Sequence, residues 1–309
     1  MRLARRSGPA RLAAWLLVVA SSAAAVGCGS ARPPPPQAPA LSVPNDAVPP
    51  DLDLVIRVDL AKVRSALGPE GLATLRRGAA NAAGTETDSD FFTRALEHAD
   101  IACLALRPEL VPGEADNVLV LAGHFRDLDV EPSLRRAGWA SPLDLGGAVW
   151  RYERAGKVSR SGAVRVYQFG DEGLVFVSPA EVDSVEAVLE HGMAPNSLKP
   201  EARGVLAFAA RLRALRGGFG ARYPAVGHVL ADALRIEGNV DSTANGLLLE
   251  LSIEFGNNEV AREAEDDLER IRAALAGGEG KMATVAASAK LEAVGTFVVV
   301  RVPLDRGIL

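Results

Sequence analysis

The sequence predicts an α+β fold of two similar halves, each an antiparallel sheet with helices packed on one face. Two pairs of neighbouring apolar runs read as hairpins, Ile101–Leu106 with Asn117–Phe125 and Leu234–Val240 with Gly246–Phe255. Between and after them lie segments whose apolar residues recur at helical spacing. A strand-like run followed by a helix precedes each hairpin, Val55 to Leu67 in one case and Val205 to Leu215 in the other.

In chain order, Leu54–Val58 reads as a strand, and a helix with apolar Val63, Leu67, Leu72 and Leu75 follows, interrupted near Gly68-Pro69. Asn81 to Asp90 is small and polar and reads as a loop. Phe91 to His98 reads as a short helix capped by Ser89 or Asp90. After the first hairpin, residues 129–137 read as helical, and Ala148–Arg154 and Ala163–Phe169 alternate as strands. Gly170-Asp-Glu-Gly173 is a turn returning into the strand Leu174–Val177. Ser178-Pro179-Ala180-Glu181 has the form of a capping box with proline at the first helical position. The helix it opens carries Val182, Val185, Val188 and Leu189 on one face and ends at Gly192.

In the second half, Gly204–Phe208 is strand-like and a helix with Leu212 and Leu215 follows. Another helix covers about Pro224 to Asp232, ahead of the second hairpin. Asn258 opens a long helix with apolar Val260, Ala264, Leu268, Ile271 and Leu275. Met282–Ala293 reads as helical and Thr296–Val302 as a final, β-branched strand. The plan resembles that of extracytoplasmic bacterial proteins built from repeated α+β units.

The N-terminus has a different character. Arg2, Arg5, Arg6 and Arg11 precede an apolar stretch centred on Trp15–Val19, and Ala23, Ala24 and Ala25 follow. That order is the order of a secretory signal, and the apolar stretch is short for a spanning helix. Ala25-Val26-Gly27-Cys28 resembles the lipobox of bacterial lipoproteins, with Ala25 where the family usually has leucine. The resemblance implies cleavage before Cys28 and acylation of Cys28, a membrane anchor. Several acyl chains, at about 0.8 kcal/mol per buried methylene, hold a protein effectively permanently. Gly29 follows the cysteine where an Asp often retains such proteins in the inner membrane, so the resemblance leans towards the outer membrane of a Gram-negative envelope, with the body extracytoplasmic.

Residues 28–50 read as a lipidated cysteine and a tether. Pro33 to Pro36, Pro39, Pro44, Pro49 and Pro50 favour an extended, polyproline-like backbone reaching on the order of 60 Å. The expected domains are therefore a signal peptide over 1–27, the tether over 28–50, a first half over 51–192, a connection over 193–203 and a second half over 204–309.

The body has material for a core, at 48% hydrophobic residues in a chain of 309. Without the leader the chain keeps 30 basic residues against 39 acidic ones, a net charge of about −9. That balance argues against nucleic acid and against electrostatic binding to anionic lipid. Cys103 lies in an apolar strand-like run and reads as a buried structural thiol.

Motifs for chemistry are sparse. His98, His124, His191 and His228 are far apart in sequence, and none has a second ligand at helical spacing. No Gly-x-Ser-x-Gly occurs. Gly277-Gly-Glu-Gly-Lys281 follows a helix, has Leu275 in the first glycine position and Met282 where magnesium would need a hydroxyl, so it reads as a helix end. Gly217-Gly-Phe-Gly220 lacks the dinucleotide fingerprint and reads as a turn. The acidic residues of the long helix, from Glu259 to Glu269, are interleaved with arginines and read as a solvated face, with Asp266 and Arg270 as an i,i+4 pair. Glu86, Asp88 and Asp90 alternate with Thr and Ser but lack the spacing and glycine of a calcium loop. No catalytic, cofactor-binding or metal-binding residue is assigned, and Cys28 is the one modified position expected. The expectation is a non-enzymatic accessory lipoprotein with an envelope protein as partner. A carrier or sensor of an apolar ligand, and a hydrolase with a triad assembled by the fold, are the other two readings.

Overall fold

The computed structural model describes residues 46–65, 86–107, 116–154, 162–192, 198–211 and 224–305. Cys28, the rest of the signal peptide and tether, the segment with Leu67, Leu72 and Leu75, and the helix expected around Leu212 and Leu215 lie outside them, as does Gly217–Gly220.

The protein is α+β, and its chain divides into two compact units, one built mainly from Leu60–Leu106 and Val111–Ser197, the other from Leu52–Asp59 and Leu198–Leu309. In the second unit, β1 (Leu54–Asp59) pairs antiparallel with β8 (Leu206–Arg211), Leu54 opposite Ala210 and Val58 opposite Leu206. From its position in the sequence this strand is expected in the first half. Its sequence neighbours do not determine which strand a β-strand pairs with, so only the fold reveals that partner.

The sheet of the first unit runs β2 (Ala99–Arg107), β3 (Asp116–Gly123), β7 (Gly173–Val177), β6 (Arg165–Phe169), β5 (Val149–Glu153), β4 (Leu143–Gly146). The expected strands are all present, and β4 is an addition. It is four residues long with Leu143 exposed, too short to show a two-residue alternation. It is joined to β5 through Gly147 and Ala148, both left-handed at φ 60° and 62°, the pattern of a type I′ hairpin turn.

Helix α1 (Glu86–His98) begins earlier than expected, because residues 86–90 extend the helix that buries Phe91 and Ala95. The backbone of Glu86–Asp90 is helical where a loop was expected. α2 (Val130–Arg136) buries Val130, Ser133 and Leu134. A 3₁₀ turn over Pro179–Glu181 leads into α3 (Val182–His191), whose Val185, Val188 and Leu189 are buried as its spacing requires. Burying each such side chain contributes roughly 1.5–3 kcal/mol. Gly192, at φ 80°, ends the helix in a conformation that favours glycine.

The capping box does not form. Ser178 makes no side-chain cap bond; the amide of Glu181 donates to the Ser178 carbonyl instead, and the serine hydroxyl accepts from the buried amide of Asn117 at 2.9 Å. The hydroxyl satisfies a buried donor at the start of β3.

The sheet of the second unit runs β1, β8, β9 (Ala233–Thr243), β10 (Gly246–Phe255), β12 (Phe297–Asp305), β11 (Lys290–Val294). Its core packs Ile236, Ile253, Phe255 and Val298 against α4 (Pro224–Val229), a 3₁₀ turn over Leu230–Asp232, and α5 (Asn258–Ala276). Asn257 caps α5, its side chain accepting from the amides of Glu259 and Val260. Val260, Ala264, Leu268 and Ile271 face the core as expected, but Leu275 is 46% exposed near the helix end. Arg270 pairs with Asp267 and Arg272 with Glu269, both at i,i+3, in place of the expected Asp266–Arg270 pair. α6 covers only Lys281–Ser288, because Lys290–Val294 pairs with β12 along five residues and is a strand where a helix was expected. Lys290, Glu292 and Val294 alternate exposed with half-buried Leu291 and Ala293, a two-residue period hidden by the helix-forming alanines before it.

The two units share a connection pattern. In each, a hairpin-like strand pair is followed by helix, and the last strand returns beside the second strand of that pair: β7 beside β3, and β12 beside β10. Ala47 and Val48, read as the end of the tether, are buried, so packing begins before residue 51. Among the described residues no helix is long and apolar enough to cross a membrane.

Candidate functional site

An open groove of about 630 Å³ lies at one end of the first unit's sheet. Asp100 and Ile101 of β2 and Ala122 and Gly123 of β3 form its floor. His124, Arg126 and Asp127, which follow β3, and Asp171 and Glu172 of the β6–β7 turn form its walls. The backbone fixes these walls: the amide of Gly123 donates to the Glu172 carbonyl at 3.0 Å, that of Phe125 to Asp171 at 2.8 Å, and that of His124 to His98 at 3.0 Å. Gly123 is required here, since a Cβ on it would stand 2.3 Å from the His98 carbonyl oxygen.

Charge defines the groove. Arg64 reaches its edge with both arms of its guanidinium: Nη1 donates to the Ala99 carbonyl at 2.6 Å and Nη2 to Asp100 Oδ1 at 3.0 Å. The first of these bonds ties down the chain just after the C-terminus of α1, where carbonyls lack helical partners. Arg126 pairs with Asp171 at 3.4 Å. Asp127 and Glu172 carry no ion pair among the described residues, so the groove holds an excess of negative charge. His124, 92% exposed, sits 4.0 Å from Asp100 Oδ2.

The fold brings His98 and His124 together, although they are 26 residues apart: His98 Nδ1 lies 3.2 Å from the His124 carbonyl oxygen. Sequence spacing could not show this, because the contact is made by the ends of α1 and β3. His191 is exposed on α3 with Nδ1 at 3.0 Å from the Ala187 carbonyl, and His228 is exposed on α4. Among the described residues no group of three or more His, Cys, Asp or Glu is arranged to hold a metal ion. Cys103 forms no disulfide among the described residues and is buried on β2, 8% exposed. Gly277–Lys281 joins α5 to α6 and makes no cradle after a strand.

The groove's lining side chains include no hydroxyl, thiol or amine nucleophile. Its arrangement suits recognition of complementary polar and cationic groups at a surface. A second polar cluster acts differently. Glu186 of α3 accepts from Arg151 at 2.9 Å, Arg165 at 2.5 Å and the Tyr167 hydroxyl at 3.2 Å. Burial first, and then the charge of Glu186, push the Tyr167 hydroxyl well above its ordinary range. Burial likewise pushes Tyr152 up to about 12, with Glu131 adding to it. Glu186, Arg151, Arg165 and Tyr167 fasten α3 to β5 and β6.

No protein-family model matches the chain, and no curated protein matches it. Two crystal forms of the protein TP0453 are similar in fold. Form I has a TM-score of 0.47 at 14% identity, covering 84% of this chain and 92% of that one. Form III has a TM-score of 0.46 at 13% identity, covering 82% and 90%. At that distance the likeness says nothing of function.

Proposed function

We propose that the protein is a lipid-anchored, extracytoplasmic lipoprotein of the cell envelope that acts as a non-enzymatic binding module. The observation that carries this reading is the order of arginines, apolar stretch, small residues and Cys28, followed at once by a proline-rich spacer. A spacer serves a module that must reach a partner away from the membrane that holds it. The acidic, open groove beside Asp127 and Glu172 supports a protein partner with basic side chains. A carrier of apolar ligand draws less support, because this groove is open and Asp100, Asp127, Asp171 and Glu172 stand around it, whereas such ligands favour enclosed, apolar pockets. The shared connection pattern of the two units supports an origin by internal duplication.

The test is crosslinking in cells from a photoreactive residue in place of Glu172, followed by mass spectrometry. One enriched envelope protein, lost when Asp127 and Asp171 are changed to Asn, is the expected result. A crosslinked set no different from that of an exposed position on the other unit, such as Glu263, rejects the groove as the recognition surface.

A further inference from the structure

Ser133 of α2 is 3% exposed, and its hydroxyl oxygen accepts from two guanidinium groups: Arg94 Nη2 of α1 at 2.9 Å and Arg136 Nη2 of α2 at 3.1 Å. The two nitrogens are therefore at most about 6 Å apart, close for like charges. Arg136 Nε also donates to the Pro132 carbonyl at 3.2 Å, and no carboxylate accepts from either side chain among the described residues. Arg94 Nε is buried with no partner at all.

Other arginines of this unit are treated differently. Arg64 is paired with Asp100, Arg135 with Glu131, and Arg151 and Arg165 with Glu153 and Glu186. Arg94 and Arg136 instead converge on a neutral oxygen. With both of its lone pairs engaged, the Ser133 hydroxyl keeps its proton to donate. Three donors and two positive charges thus meet where no described residue supplies an anion. A guanidinium fork matches the oxygens of an oxyanion, and a phosphomonoester carries −1.5 to −2, which balances two arginines where a carboxylate would leave one unneutralised.

We propose that Arg94, Arg136 and Ser133 form a binding site for a phosphate oxyanion, either inorganic phosphate or a phosphomonoester headgroup. The site stands apart from the groove and does not rest on the proposed function. Calorimetric titration of the full-length chain in neutral detergent, at constant ionic strength set with chloride, tests it with inorganic phosphate and with glycerol 3-phosphate. Saturable binding is expected, weakened at least about tenfold by Arg136→Gln and by Arg94→Gln, and unchanged by Arg135→Gln, whose guanidinium belongs to Glu131. Tighter binding of glycerol 3-phosphate assigns the headgroup ester, and tighter binding of inorganic phosphate assigns the free ion. Absence of saturable binding for both probes overturns the site. So does binding that survives Arg136→Gln in protein whose melting temperature is unchanged, and this exposed position decides the matter if Arg94→Gln does not fold.

Discussion

Asn117 and Ser178 are joined by two hydrogen bonds where β3 begins and β7 ends: the Asn117 amide donates to Ser178 Oγ at 2.9 Å, and the Ser178 amide donates to the Asn117 carbonyl at 3.0 Å. Both residues are buried. Replacing Ser178 by Ala leaves the Asn117 amide with no acceptor in place of the hydroxyl, so it should cost about 1–3 kcal/mol. Chemical denaturation measures it. A loss of a few tenths of a kcal/mol would instead mean that water takes over the amide.

Gly123 marks a close approach of β3 to the end of α1. Gly123→Ala should destabilise the protein by about 1–3 kcal/mol or more, because the clash is with backbone and no rotamer relieves it. The same change should alter crosslinking from the groove, since His98 and His124 are held across this contact. An alanine variant with unchanged melting temperature would contradict the packing at this point.

Ala148 is the only described non-glycine residue with positive φ, at 62°. Alanine pays a steric cost there that glycine does not, so Ala148→Gly should stabilise the β4–β5 turn by about 0.5–1 kcal/mol after glycine's greater chain entropy is counted. Equilibrium unfolding of the two proteins side by side gives the sign.

The buried tyrosines make stability depend on alkaline pH. Tyr152 is pushed up to about 12 and Tyr167 is also raised, so the folded state holds protons that the unfolded chain releases near the ordinary value of 10.0. The stability they contribute is therefore complete below about pH 10 and is lost as pH rises through their folded values. Ultraviolet titration of native protein should show two of the three tyrosines ionising well above pH 10. Two ionisations near pH 10 with the fold intact would show these hydroxyls to be in water.

Much of the fold was legible because its signals are local. The hairpins were legible as neighbouring apolar runs, α3 by Val185, Val188 and Leu189, and α5 by Asn258 and its apolar stripe. What escaped depends on partners distant in sequence. β1 belongs with β8, about 150 residues on. Ser178 spends its hydroxyl on Asn117, where its own helix start was the local expectation. Lys290–Ala293 looks helical until β12 is there to pair with it. The groove was invisible for the same reason, since Asp100, His124 and Asp171 meet only through β2, β3 and the β6–β7 turn. So was the convergence of Arg94 and Arg136, which sequence spacing alone sets 42 residues apart.

The central claim is the anchor, and metabolic labelling with a palmitate analogue tests it most directly. Cells making the full-length chain should incorporate label into it, and Cys28→Ala should lose that label entirely while Cys103→Ala keeps it. Label that persists on the Cys28→Ala protein, or its absence from the unaltered chain in a host that acylates its other lipoproteins, would contradict the account.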